Sequence, residues 1–276
     1  VPGKYIASIA IMNGVIGKNG ERKFVKSQNE IIRANGYDVL QIIPIQYMNR
    51  GTLQTGWIVL QNEQFCGLYT IQELVKAVGC VYGIIIHSIL YGYRSMDELV
   101  RTLENKGNIL YYLHDYFCIC ANKFMRKNNV DCNGYRKSCV TCEDNDKCGS
   151  IYQFHKSFFE NNDVKLIAPS EVVRKHVTDI YENVDIVVLG HLKYRKTSKK
   201  MANKKTIRIA YLGTPNEKKG WNDYLFLADK ICNNYELYLL GDGCSESNLY
   251  KIKYIKVGQD KEQNELTMVE AMQKYQ

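Results

Sequence analysis

The chain has 276 residues, of which 45% are hydrophobic, so it can form one or two domains with substantial cores. Its formal net charge of +8 fits phosphate-bearing ligands, an anionic membrane surface or nucleic acid. The longest apolar run, 81–91, is interrupted by Gly83, His87 and Ser88 and is too short to span a bilayer. The first residues show no secretory-signal pattern, so we expect a cytoplasmic protein, with peripheral association at the inner membrane face left open.

The first 190 residues alternate strand and helix signals, which is the pattern of a mainly parallel α/β sheet. Strands are predicted at Tyr5–Met12, Tyr37–Ile45, Trp57–Leu60, Tyr82–His87, Asn108–Leu113, Val164–Pro169 and Asp185–Leu189. Helices are predicted at Glu21–Asn35, 70–77, Met96–Lys106, Tyr152–Asn161 and Glu171–Tyr181. The stretch Gln61–Tyr69 has no clear pattern.

A glycine-rich turn, Asn13–Gly20, follows the first strand. Its glycines, Gly14, Gly17 and Gly20, stand three residues apart, which is not the spacing of a dinucleotide fingerprint. We therefore expect no dinucleotide cofactor. The turn either lets a ligand approach the backbone or has only a structural role.

Two predicted strands end in titratable side chains. His87 ends one strand, and His114 with Asp115 follows the next. Carboxyl ends of parallel strands line the ligand crevice of an open sheet, so these three residues are candidates for a site. The alternative is that each has a structural role.

The segment 117–149 carries six of the ten cysteines. Cys139 and Cys142 form a C-x-x-C pair, Cys132 lies seven residues earlier, and Cys120 is the best fourth ligand for a structural zinc. The spacing matches no standard zinc ribbon. Reduced buried thiols and a disulfide or redox pair remain alternatives.

A basic run, 191–205, separates these elements from a second α/β segment, and we interpret the run as a linker. A strand at Thr206–Gly213, a loop, a helix from Trp221 and a strand ending at Gly241 form a βαβ unit. A further strand near 253–257 and a helix near 264–275 follow. Lys218, Lys219 and Gly220 precede the first helix of this segment, where a phosphate would bind well; ordinary surface lysines are the alternative.

Six segments together resemble bacterial glycosyltransferase family 4. They are Gly14–Gly20, Ile84–His87, Tyr112–Cys120, Leu166–Val177, Ile209–Trp221 and Tyr238–Gly243. The resemblance extends from about Tyr5 to Gln276. It implies the GT-B fold, which is α/β with two Rossmann-like domains and mainly parallel sheets, and sugar transfer from a nucleotide-sugar donor with retention of anomeric configuration.

The resemblance assigns 1–190 to the acceptor side, 191–205 to the linker and 206–276 to the first part of the donor domain. It places His114 and Asp115 in catalysis, and His87, Gly17 and Gly20 at the acceptor. The implied donor-binding residues are Gly213, Thr214, Lys218, Lys219, Gly220, Gly241 and Gly243. No cofactor is implied for catalysis.

Two departures from the family pattern bear on activity. Thr214 stands where many members have a diphosphate-binding arginine, so lysines are the remaining cations. The family's paired-glutamate donor motif is expected beyond Gln276. We therefore expect the second domain to be incomplete and the chain, which begins with Val, to be an inactive piece of a longer enzyme.

The resemblance predicts a transferase of cell-surface polysaccharide or glycoconjugate synthesis acting on a saccharide or lipid-linked acceptor. The alternatives are a sugar-nucleotide epimerase on the same fold and a basic, cysteine-knuckled nucleic-acid-binding protein. The latter is disfavoured because the lysines concentrate in the linker rather than on a face patterned with aromatic residues.

Overall fold

A computed structural model describes residues 4–10, 20–49, 51–87, 99, 103, 107–122, 125–127, 130–132, 142–190, 207–241 and 252–256. The chain divides into two compact units, Val1–Lys193 and Tyr194–Gln276. The boundary falls inside the basic run 191–205, which itself lies outside the described residues. Each unit is described separately below.

Ten strands and four helices make up the described part of the first unit. The strands are β1 (Tyr5–Ile9), β2 (Asp38–Asn49), β3 (Thr52–Gln61), β4 (Gln64–Tyr69), β5 (Gly83–Ile86), β6 (Ile109–Tyr112), β7 (Arg126–Lys127), β8 (Val130–Asp131), β9 (Val164–Ala168) and β10 (Asp185–Val188). The helices are α1 (Gly20–Ala34), α2 (Ile71–Gly79), α3 (Asn145–Asn161) and α4 (Glu171–Thr178). Of the predicted helix at 96–106, only Leu99 and Leu103 are described, and both are helical and buried.

Eight strands form one sheet in the order β10-β9-β6-β5-β1-β2-β3-β4. The pairs from β10 to β2 are parallel, and β3 and β4 extend the sheet antiparallel. The prediction of an α/β fold with a mainly parallel sheet is confirmed, and the topology is consistent with a Rossmann-like fold. After β1, strands β2 to β4 are added on one side of β1, and β5 and the later strands are added on its other side. A topological switch point therefore lies between β1 and β5.

Side chains alternate between the two faces of the sheet because strand residues point to opposite sides in turn. One face carries the main core, in which Ile9, Ile84 and Ile86 pack with the completely buried Trp57. The other face is covered by α1. There Ile85, Tyr112 and Ile167 pack against Phe24 and Ile32 of that helix.

The hairpin formed by β3 and β4 extends further than the sequence indicates. β3 is ten residues long and not four, and β4 occupies most of the stretch that has no clear pattern. The turn consists of Asn62 and Glu63, both with positive φ (49° and 75°). Asn62 also fixes the turn to β2, because its side-chain oxygen accepts a hydrogen bond from the Val39 amide at 3.0 Å.

The second unit contains a parallel three-stranded sheet in the order β11-β12-β13. Its elements are β11 (Arg208–Leu212), a 3-10 turn (Glu217–Lys219), α5 (Trp221–Ile231), β12 (Glu236–Gly241) and β13 (Lys253–Lys256). Tyr211, Trp221 and Tyr224 pack with Leu237 and Leu239 into a separate core. The helix predicted near 264–275 lies outside the described residues.

Candidate functional site

Two histidines meet at the carboxyl edge of the first sheet, next to its switch point. His87 directly follows β5, and its amide donates to the Ile9 carbonyl at the end of β1 (2.9 Å). His114 follows β6, the strand beside β5. The rings stack at 20° with centroids 5.4 Å apart, and His87 Nδ1 lies 3.2 Å from His114 Nε2. The sheet therefore brings together two residues that the sequence places 27 positions apart.

An aromatic shell holds the histidine pair in place. The Tyr112 ring lies nearly parallel to both imidazoles, at 22° to His87 and 14° to His114. Phe24, on the first turns of α1, packs edge-on against His114 with centroids 5.2 Å apart. Burial raises the pKa of Tyr112, and a hydrogen bond with Gln28 of α1 opposes this rise in part. The tyrosine thus remains a neutral hydroxyl.

The contact between the two rings limits their protonation. A nitrogen–nitrogen hydrogen bond needs one donor and one acceptor, so the pair cannot hold two positive charges while the contact persists. His87 has 0% exposure, whereas His114 is partly exposed. His114 can therefore reach a ligand, and His87 can set the orientation and tautomer of the His114 ring.

Asp115 makes a local contact with the backbone. Its Oδ1 accepts a hydrogen bond from the Phe117 amide at 2.9 Å, which closes a turn of the chain after β6. The side chain is half-buried and lies next to the site in sequence. Its negative charge also contributes, after burial, to the raised pKa of Cys118.

The structure describes only the end of the predicted glycine turn. Gly17 lies outside the described residues, and Gly20 is the first residue of α1. The same helix supplies Phe24 and Gln28 to the histidine cluster, so its first turns lie over the carboxyl edge of the sheet.

A cleft of about 280 Å³ elsewhere in the first unit is a weaker candidate. It is lined by residues of α3, including Tyr152 and Lys156, and by the segment 180–184 that leads into β10. That segment lies at the amino end of β10. Parallel sheets bind ligands at the opposite edge, where the histidines lie.

The loop that is predicted to bind phosphate lies directly before α5. Gly220 is the residue before α5 and adopts the left-handed region with φ 79°. Lys219 is exposed, and its carbonyl accepts a hydrogen bond from the Tyr211 hydroxyl at 3.3 Å. Asp223 in the first turn of α5 places a negative charge near the same helix end, which competes with an anion there.

Two glycines of the implied donor site have a structural reason to be glycine. A Cβ at Gly241 would collide with the backbone carbonyl of Gly213, because the ends of β11 and β12 approach closely there. Gly213 has φ 111°, a region that side chains disfavour. Thr214 is exposed, and Gly243 lies outside the described residues.

The cysteine segment brings thiols together. Cys120 Sγ lies 3.4 Å from Cys132 Sγ, and Cys142 is partly exposed before α3. Cys139 lies outside the described residues. Among those that the structure does describe, no three His, Cys, Asp or Glu side chains form a ready-made metal-binding group.

Sequence reasoning missed Tyr112 and Gln28 as parts of the site. Tyr112 is predicted only as a strand residue, and Gln28 only as one side of a helix. A signal was available, since Phe24 and Gln28 are four residues apart and therefore project from the same helix face. The sequence pattern does not indicate which strand this face of α1 packs against.

Comparisons with known proteins add no identification. No family model matches the chain, and a search of curated proteins also finds no match. No helix in the described part of the chain has the length and apolar character that crossing a bilayer requires.

Proposed function

We propose that the complete protein is a retaining glycosyltransferase of the GT-B class, which moves a sugar from a nucleotide-sugar donor to a saccharide or lipid-linked acceptor. The first unit would bind the acceptor, and the second would bind the donor diphosphate. The proposal rests on the sequence resemblance together with the chemistry of the histidine pair.

The observation that carries the acceptor assignment is the position of His87 and His114. They lie beside the switch point of a parallel sheet, where open α/β sheets bind their ligands. One ring is completely buried and the other partly exposed, 3.2 Å away. A partly exposed ring at that edge can contact a bound ligand.

The chemistry follows from that arrangement. His114 would hydrogen-bond an acceptor hydroxyl and hold it near the anomeric carbon, and His87 would act as its positioning residue. Orientation of this kind can account for a large part of a rate enhancement without a strong general base. Asp115 would support the backbone turn that carries His114.

On the donor side, the loop before α5 would bind the leaving diphosphate. Lys219 and the helix amides would stabilise its negative charge as the glycosidic bond breaks. No metal ion is required in this scheme. Net charge and basic residues would also favour phosphorylated or lipid-linked acceptors at an anionic membrane surface.

The test is acceptor-dependent release of nucleoside diphosphate by the complete protein, screened across nucleotide-sugars and lipid-linked and free saccharides. The proposal predicts release that requires an acceptor and a glycosylated product that keeps the donor's anomeric configuration. Conversion of the donor sugar without any acceptor would instead identify an epimerase. Salt-dependent retention of RNA or DNA with no turnover would favour the nucleic-acid-binding alternative.

A further inference from the structure

Three buried polar side chains lie in the layer between α1 and the sheet of the first unit. Ser8 is in β1, Gln41 is in β2 and Asn29 is in α1, and none of them is more than 5% exposed. The side-chain oxygen of each makes no hydrogen bond within the described part of the protein. Because most buried polar atoms in proteins are hydrogen-bonded, three such oxygens in one layer need an explanation.

The register of the sheet brings Ser8 and Gln41 together. They are direct partners in the parallel pair of β1 and β2, and paired strands lie about 4.8 Å apart. Ile6, two residues before Ser8, packs on the α1 side of the sheet together with Ile85. Residues two positions apart in a strand share a face, and partners in register point the same way, so Ser8 and Gln41 both face α1.

Asn29 approaches the same level of the sheet from the helix. Phe24 packs against the His87 ring, and the His87 amide donates to the Ile9 carbonyl, so Phe24 lies level with the end of β1. From there α1 runs back toward the amino end of β2, and Asn29 lies about 7.5 Å further along its axis. That length equals about two residues of a strand, so Asn29 lies near the level of Ser8.

The rotation of α1 also directs Asn29 toward these strands. Phe24 and Gln28 contact Tyr112 of β6. Val25 and Asn29 follow them by one residue each, which is a turn of about 100° around the helix. This second pair of side chains is buried as well, and α1 packs against β2. Asn29 therefore faces the part of the sheet that β1 and β2 form.

One water molecule can satisfy all three oxygens. The Ser8 hydroxyl has a hydrogen to donate, and the side-chain oxygens of Asn29 and Gln41 accept. A water that accepts from Ser8 and donates one hydrogen to each amide oxygen makes three hydrogen bonds, which is about the number that buried waters usually make. Side chains that are buried to this degree are not accessible to a larger ligand.

We infer that Ser8, Asn29 and Gln41 bind one internal water molecule, which fixes the position of α1 on the sheet. Phe24 of the same helix packs against both histidines of the candidate site. The water would therefore also fix the place where α1 meets the histidine pair. The inference follows from the packing of the first unit and does not depend on the proposed transferase activity.

The direct experiment is a crystal structure of the full chain at a resolution that shows ordered water. We expect one water within about 2.7–3.2 Å of the side-chain oxygens of Ser8, Asn29 and Gln41. Direct hydrogen bonds among the three side chains would overturn the inference. So would a layer without water, or a water that contacts fewer than all three oxygens.

Thermal unfolding of the first unit tests the same site without crystals. Ser8→Ala and Gln41→Met should each lower the melting temperature by about 2–4 °C, because each leaves the remaining buried oxygens without their full set of hydrogen bonds. The double variant should lose less than the sum of the two, since both changes act on one shared water. Gln46→Met, the same change at an exposed position of β2, is the matched control and should melt like wild type. Additive losses, or a single variant that melts at or above the wild-type temperature, would refute the shared water.

Discussion

Replacement of His155 is expected to remove a large part of the acid sensitivity of the first unit. His155 lies in α3 with 1% exposure, among the rings of Phe154, Phe159 and Tyr111. Its Nδ1 donates to the Ile151 carbonyl at 2.9 Å, so the neutral ring accepts the Tyr111 hydroxyl at Nε2, 3.2 Å away. Both bonds suit the neutral imidazole.

The size of the expected change in the free energy of unfolding follows from the pKa of His155. Burial lowers the pKa of His155 from 6.5 to about 4, and the bond to Ile151 opposes the shift in part. Between these values the unfolded chain binds more protons than the folded one, so the free energy of unfolding falls as the pH falls. The neutral histidine's stabilisation is complete above about pH 6.5, and about 2 kcal/mol of it is lost between pH 7 and pH 5.

The assay compares urea unfolding of wild type and His155→Gln at pH 7 and pH 5. Trp57 reports on the first unit if Trp221→Phe is present in every variant, since the chain has two tryptophans. The difference in unfolding free energy between wild type and His155→Gln should change by about 2 kcal/mol between the two pH values. Phe159→Leu, a neighbouring change that removes no titrating group, should leave the pH dependence as in wild type. A pH dependence in His155→Gln equal to that of wild type would show that burial of His155 does not cause the acid sensitivity.

Three other changes give separate tests. Lys219→Ala in the complete protein should weaken nucleoside-diphosphate binding, measured by calorimetry, by about 10- to 150-fold, because a charge-assisted phosphate contact contributes about 1.5–3 kcal/mol. Lys218→Ala should have a smaller effect. Equal affinities in wild type and both variants would contradict the assignment of this loop to the donor. Thr70→Ala should lower the unfolding free energy of the first unit by about 1 kcal/mol in urea titrations, since its side chain accepts the Glu73 amide and caps α2. Gly241→Ala should destabilise the second unit by about 2 kcal/mol or more in thermal melts, through the collision with the Gly213 carbonyl; a wild-type melting temperature would contradict that contact.

Much of the first unit was predictable from local signals. Continuous apolar runs such as Ile84–Ile86 predict buried parallel strands, and the capping pair of Thr70 and Glu73 marks the start of α2. These signals are local because burial on both faces and helix capping each depend on a few adjacent residues.

The β3–β4 hairpin was not predictable in the same way. Its turn places Glu63 at a positive φ where glycine is the usual residue, so the common Asn-Gly signal is absent. The tertiary bond from the Val39 amide to Asn62 stabilises the turn instead, and a pattern along the chain cannot show such a bond.

The candidate site was predictable in part from where the predicted strands end. His87 and His114 end predicted strands, and the rule that parallel strands share a carboxyl edge anticipates their proximity. The packing of Phe24 on His114 depends on how α1 rotates over the sheet. The sequence pattern does not indicate that rotation.

The role of His114 in acceptor binding is tested by comparing His114→Gln with His176→Gln in the complete protein, by acceptor-dependent release of nucleoside diphosphate. His176 is a partly exposed histidine on α4 that lies outside the histidine pair, so it controls for the substitution itself. We expect a fall of about 100-fold in kcat/KM for His114→Gln, because the acceptor hydroxyl loses its positioning, and wild-type activity for His176→Gln. Activity in His114→Gln within about twofold of wild type, where loss of positioning should cost about 100-fold, would contradict the proposed role of His114 at the acceptor.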